Sequence, residues 1–256
     1  MKLIIRADDL GYSEAVNRGI EKSVRRGLVR SVGVMPNMEQ AQPGLEMLEG
    51  CDVAFGQHTN VCLGRPCADP AAIPTLVDEN GMLHSSREYR AAWKEGRELA
   101  ATDDLVREIE AQYQRFVELV GHDPDYFEAH AVMSKNLHEA LAIVAEKYHL
   151  RWLDTSPVRF EGTFAGKPIA MAQMGSMDPG YDARAYLYKT VGELLNTQSA
   201  DVPVVYVCHP GWLDEFILTH SSLTVNRTKE VEMLCDPAVA AWLRDRNVEL
   251  LDFRDV

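Results

Sequence analysis

The chain has 256 residues, 46% of them hydrophobic, 25% charged and 8% aromatic, with a net charge of −13. That is enough apolar material for one large core and an ordinary globular balance, which excludes a disordered or fibrous chain. So acidic a protein is repelled by nucleic-acid backbones and anionic lipid, so the expected partner is a neutral small molecule, with no nucleic acid and no membrane.

At the N-terminus the apolar run Leu3-Ile4-Ile5 is cut short by Arg6, Asp8 and Asp9. Neither a signal peptide nor an anchor fits it. The five cysteines are odd in number and lack CxxC spacing. Reduced thiols and a cytoplasmic location are therefore expected, with Cys62, Cys67 and Cys208 as bystanders.

In chain order, Lys2 to Ala7 reads as a short strand. Ser13 caps a helix whose Val16, Ile20 and Val24 recur every four residues on one face. Lys22, Arg25, Arg26 and Arg30 belong to the exposed side of that helix. Val29 to Met35 is the next strand, 39 to 49 a helix, and Asp52 to His58 a third strand. The Pro- and Gly-rich segment from Asn60 to Trp93 is too long for a simple connector and reads as a functional cover. A helix spans 102 to 120, with Val106, Ile109, Tyr113, Phe116, Val117 and Val120 as its apolar stripe and Asp103 and Asp104 in its first turn. Asp125 to His130 is a strand, Ser134 caps a helix, and Arg151 to Leu153 is a short strand. Val202 to Cys208 is the most strand-like run of all. A helix or helix pair over 226 to 245 precedes a last strand at Val248 to Phe253.

Strands that alternate with helices imply a parallel sheet with helices outside it. About seven such units point to a single domain, 1–256, of α/β class. The expected form is a distorted, seven-stranded (β/α)-type barrel, with an open doubly wound sheet as the alternative.

The polar residues fall where such a fold builds sites. Asp8-Asp9, His58, His130 and His209 each end a strand, and strand C-termini share one rim. A lone strand-end histidine is more often an ordinary satisfied residue than a ligand; four strands delivering carboxylate and imidazole to one rim reverse that preference. Adjacent Asp8 and Asp9 would point to opposite faces of a regular strand, so the chain must turn there for both to reach the site. Two imidazoles and one carboxylate suit zinc and other first-row divalent ions and leave positions open for water and substrate. Pro210-Gly211 forces a turn that holds His209 at the rim.

Asp8-Asp9-Leu10-Gly11-Tyr12-Ser13, Gly56-Gln57-His58, His130 and His209-Pro210-Gly211, in that order, resemble the YdjC-like carbohydrate deacetylases, the group that includes the chitooligosaccharide deacetylase. The resemblance runs from Ile5 to about Leu234. It implies a fold related to the polysaccharide deacetylases and divalent-metal-dependent hydrolysis of an N-acetyl group on a sugar or short oligosaccharide. One ion, magnesium or zinc with cobalt or manganese as further choices, would be held by Asp9, His58 and His130. Asp8 would be the general base, and His209, as imidazolium, would protonate the leaving amine. Arg227 is a substrate-site candidate, with Trp212, Tyr12 and Tyr89 as pocket walls, and a homodimer is compatible. Two departures stand out. Family members often carry several histidines after an Asp at the fourth strand, whereas this chain reads Glu128-Ala129-His130-Ala131; and Thr59-Asn60 follows His58. Rival readings are a non-catalytic carbohydrate-binding protein on the same fold, a metal-dependent phosphoester hydrolase, and an iron oxygenase.

Overall fold

The computed structural model describes residues 1–155, 161–172, 174–178 and 180–256. Its centre is strand β1 (Lys2–Leu10), flanked by β2 (Ser31–Val34) and, on the other side, β8 (Val204–Cys208). Outward from β2 follow β3 (Ala54–Thr59) and β4 (Tyr126–Ala129), all parallel. Outward from β8 follow β7 (Lys167–Met171), β6 (Glu161–Phe164) and β5 (Leu153–Thr155), where β7 is parallel to β8 and the last two pairings are antiparallel. The ring closes through one parallel bridge between Phe127 of β4 and Trp152, just before β5, with the Phe127 N–H donating to the Arg151 carbonyl at 3.0 Å. A short β9 (Glu249–Leu251) pairs with Lys2–Ile4 at the foot of β1.

The result is a nearly closed α/β barrel with nine strands among the described residues rather than the expected seven. The two strands without a counterpart in the sequence pattern are β6 and β7. They form a hairpin whose two turn residues, Ala165 and Gly166, both have positive φ (48° and 79°), as a type I′ turn requires. Gly162, Lys167 and Pro168 dilute the apolar alternation there, so period-2 reading passes over it.

Helices α1 (Glu14–Arg25), α2 (Ala41–Met47), α6 (Ala183–Thr197), α8 (Val225–Leu234) and α9 (Pro237–Asp245) supply the cluster outside the strands, where Leu3, Ile5 and Ala7 of β1 meet Val16, Leu187 and Leu243. Ile4 belongs instead to an interior cluster with Val205, Val207, Tyr126 and Phe253. Strand side chains alternate, so Ile4, Arg6 and Asp8 share the inward face. The barrel is therefore layered. Its foot is apolar, plugged by Phe253 stacked on Tyr126 with ring centroids 4.1 Å apart; Arg6 occupies the middle, and acids and imidazoles crown the rim.

The long segment after β3 is tied down by helix α4 (Thr102–Val120). Besides Leu105, Ile109 and Phe116, this helix buries Asp104, Glu108 and Gln112, spaced by four residues. Gln112 accepts from the Asn60 N–H at 3.0 Å and donates to the Asn60 carbonyl at 2.6 Å. Glu108 accepts from the N–H groups of Cys67 and Ala68, and Asp104 from the N–H and hydroxyl of Thr75. Val106 and Tyr113, expected in the stripe, are only half-buried, because the helix turns this polar ladder toward the loop. The segment continues into α3 (Ser86–Lys94), capped by Ser85 and Glu88. Helix α5 (Lys135–Tyr148) starts at Ser134, which accepts from the Leu137 N–H as the sequence implies, and α7 (Glu215–His220) follows the β8 turn.

Candidate metal centre

Two residues of one strand reach the site because the backbone breaks the alternation. Asp9 has φ +78°, and the pairing of β1 with β2 slips between Ala7 and Leu10, where Asp8 and Asp9 together face Gly33. This bulge turns the Asp9 side chain inward beside Asp8. Ala131, directly after His130, is also left-handed at φ +54°, so two residues of the rim carry backbone strain. Space is made by Gly33 on β2, where a Cβ would lie 3.0 Å from Asp8 Oδ1 and 3.2 Å from His58 Cβ.

Asp9 Oδ1 lies 3.3 Å from His58 Nε2 and 3.1 Å from His130 Nδ1, and the two ring nitrogens are 2.9 Å apart. Although close to both rings, buried Asp9 Oδ1 has no partner in hydrogen-bonding geometry. All three atoms converge on one point. Donors about 2.1 Å from a shared ion sit roughly 3.0–3.4 Å from one another, so these edges are those of a coordination shell. A carboxylate with two imidazoles is a donor set for zinc-like ions. The expected trio is thus brought together, and it fits a cation.

A second group, Asp8, His58 and Glu128, also lies within 4.8 Å. His58 belongs to both through different nitrogens: Nε2 faces Asp9 and His130, and Nδ1 is hydrogen-bonded to Glu128. Metal-bound histidines commonly donate their other N–H to a carboxylate, and the contact of His58 Nδ1 with Glu128 has that form. Arg6 adds its own cation to the second group, 2.7 Å from Asp8 Oδ2 and 3.5 Å from Glu128 Oε2. Asp8 Oδ1 is buried and unpartnered.

Arg227, from the first turn of α8, is tied to Asp9, with its Nη1 buried and unpartnered. It is buried, its Nη2 donates to Asp9 Oδ2 at 2.7 Å, its Nε donates to the Leu223 carbonyl at 2.9 Å, and its guanidinium lies 5.3 Å over the Tyr12 ring. Burial pushes the Asp9 carboxyl upward, but Arg227 and the two imidazoles outweigh it and hold Asp9 well below the usual carboxylate range. Burial likewise opposes charging of His130, yet Asp9, and the Cys62 sulfur as a hydrogen-bond acceptor, lift it to about 9. Cys62, read as a bystander, therefore touches the site.

His209 ends β8 at the same rim, its Nδ1 buried without a partner, and burial pulls it down to about 4. Its ring is neutral near pH 7, in place of the imidazolium expected from the sequence. Its backbone N–H donates to Glu230 on α8, which also accepts from the Tyr181 hydroxyl at 3.0 Å and is pushed by burial up to about 7. The turn that follows sits tightly on α1: a Cβ on Gly19 would come within 2.5 Å of Gly211 Cα.

The aromatic candidates divide. Tyr12 is at the site, edge-on to His130 at 6.3 Å and to Phe216 at 5.9 Å. Trp212 is not; its ring packs beneath the Lys22 ammonium at 5.0 Å on the flank of α1, because the turn after Gly211 swings it down the outside of the barrel. Tyr89, on α3 of the cover segment, is buried in the core that the segment shares with α4 and α5. Arg6, Glu128 and Glu230 went unread as site residues. A signal existed for the first two: Arg6 shares the inward register of Asp8, and Glu128 that of His130. A cavity of about 540 Å³ adjoins the rim between Tyr12, Phe216, Asn37, Met38, Arg65 and Met82.

A one-domain α/β barrel with a buried carboxylate–imidazole cluster at its C-terminal rim is the class that fold and site define. The profile of the YdjC-like proteins matches residues 2–245, and the chain belongs to that family. A carbohydrate deacetylase 2 of Listeria innocua is 28% identical, covering 100% of this chain and 99% of its own. Among solved structures, a candidate cellobiose-phosphate cleavage protein of Enterococcus faecalis superposes with a TM-score of 0.84 at 23% identity, covering 99% of this chain and 98% of that one. A CE4 esterase of Streptococcus mutans shares the fold more distantly, with a TM-score of 0.53 at 13% identity over 98% of this chain and 84% of that one. Among the described residues no helix is long and apolar enough to cross a membrane.

Proposed function

We propose that this protein is a divalent-metal-dependent hydrolase that removes an acetyl group from an N-acetylated sugar or short oligosaccharide. The observation that carries the proposal is the convergence of Asp9 Oδ1, His58 Nε2 and His130 Nδ1 within 3.3 Å of one another. Family membership and a relative named for carbohydrate deacetylation supply the reaction class. Asp9, His58 and His130 would hold the ion, and two nitrogen donors favour zinc or cobalt over magnesium or manganese. A bound ion would polarise the acetyl carbonyl and lower the pKa of water from about 15.7 to around 7.

The chain's own groups then divide the proton work. Asp8 keeps one oxygen on Arg6 and leaves Oδ1 bare, so it is the group that accepts the proton of the attacking water as the new C–O bond forms. As the C–N bond breaks, the nitrogen must gain a proton. His209, neutral at rest, relays the proton that Asp8 has taken to the nitrogen, which leaves as the free amine beside acetic acid; the acid then gives up its own proton to Asp8 or to water. The cavity beside Tyr12 and Phe216 is large enough for a sugar ring beyond the acetylated one. Phosphoester chemistry is disfavoured because both buried arginines of the site already pair with carboxylates.

The test is acetate release from a panel of N-acetylated mono- and disaccharides after loading with Zn²⁺, Co²⁺, Mn²⁺ or Mg²⁺, with a chelator control. Release that depends on the ion is expected. No release with any ion, or equal release in chelator, would overturn the reading.

A further inference from the structure

His58 carries two nitrogens with opposite duties, and the structure shows what separates them. The ring sits on β3 directly opposite Glu128 on β4, a paired position of two parallel strands, so their contact is set by the sheet rather than by a loop. Glu128 meets Nδ1, while Nε2 faces Asp9 and His130. Behind Glu128 stands Arg6, whose Nη2 lies 3.5 Å from Glu128 Oε2 and 2.7 Å from Asp8 Oδ2. All four side chains are buried, and the Arg6 guanidinium also lies 5.8 Å over the Tyr126 ring.

We propose that Glu128, anchored by Arg6, is a positioning residue that keeps the proton on His58 Nδ1 and so presents Nε2 as the lone pair facing Asp9 and His130. An ionised carboxylate can only accept hydrogen bonds, so the nitrogen that faces it must be the donor. The other nitrogen is thereby committed to coordination. Arg6 serves two acids at once: it holds Glu128 against the ligand and Asp8 as the base, so the geometry of the ion site and of proton transfer are joined through one cation. The guanidinium also places a positive charge inside the Asp8–His58–Glu128 group, which discourages a metal ion there. This inference rests on the metal-centre reading, and the experiment separates the two.

The variants are Glu128→Gln and Glu128→Asp, with zinc affinity measured by titration calorimetry and the His58 Nδ1–H followed as a far-downfield proton resonance. Thermal unfolding in chelator gives the stability change separately. Glu128→Gln is expected to weaken zinc binding about 10–100-fold and to lose the resonance. Glu128→Asp, which restores the charge one methylene short, should lie between it and the parent. A purely structural role would lower the melting temperature and leave the affinity of the folded protein unchanged. Parent-like affinity in Glu128→Gln, or a persisting Nδ1–H signal, would overturn the proposal. If Glu128→Gln does not fold, Glu128→Asp decides: a loss of at least about threefold supports it and an unchanged affinity refutes it. A parent that binds no ion refutes the metal reading, while the resonance still reports whether Glu128 holds the proton.

Discussion

Replacing Arg227 with Met keeps much of the side-chain volume and removes the cation that Asp9 Oδ2 relies on. Both partners are almost wholly buried, at 3% and 1% side-chain exposure. Two unit charges about 4 Å apart interact by roughly 4 kcal/mol at an effective dielectric of 20, and breaking a buried pair by removing one member costs about 3–5 kcal/mol. At about 2–4 °C per kcal/mol for a chain of this size, the metal-free variant should melt roughly 6–20 °C below the parent. Asp9 has a depressed pKa, so its stabilisation is present above the ordinary carboxylate value and lost as pH falls; the variant should lose less on acidification. A divalent ion supplies a positive charge to the other oxygen of the same carboxylate, so the deficit should shrink once zinc is added. Scanning calorimetry of both proteins, in chelator and with saturating zinc, reads all of this. A deficit below about 2 °C in chelator, or one that zinc leaves unaltered, would refute the electrostatic account of Arg227.

Four further outcomes are expected. Asp8→Asn should abolish acetate release yet keep ion binding, whereas His58→Ala should lose both, as read by turnover and metal titration. Glu230 is raised from 4.5 to about 7, so between those values the folded state holds a proton that the unfolded state has released. Stability should therefore fall as pH rises through that window, by about 3 kcal/mol in all, and Glu230→Gln should flatten the melting-temperature profile there. Gln112→Ala leaves the Asn60 N–H and carbonyl without their partner; a loss of about 2–4 kcal/mol is expected, together with faster proteolytic cutting between residues 60 and 84. Gly33→Ala drives a methyl against Asp8 Oδ1 and His58, and kcat should drop far more than the melting temperature.

Much of the site was legible because its residues end strands, and strand ends share a rim in this fold. His58 and His130 needed nothing more than that topology. Asp8 and Asp9 together needed a broken alternation, and the left-handed Asp9 provides it. Arg227 was found without its partner: a position at the start of a helix places a side chain near the rim but does not reveal the contact with Asp9. Trp212 failed for the opposite reason, since adjacency to His209 in sequence says nothing about the side on which the turn leaves it. Glu128 and Arg6 were hidden within strands, where a charged residue reads as an interruption until the barrel interior is known to be polar at that height. The β6–β7 hairpin escaped because its short, polar strands draw their order from neighbours rather than from their own pattern.

The most direct test is anomalous diffraction from crystals of the zinc-loaded protein. One peak within bonding distance of Asp9 Oδ1, His58 Nε2 and His130 Nδ1 is expected. A peak between Asp8, His58 Nδ1 and Glu128, or none at the rim, would contradict the account.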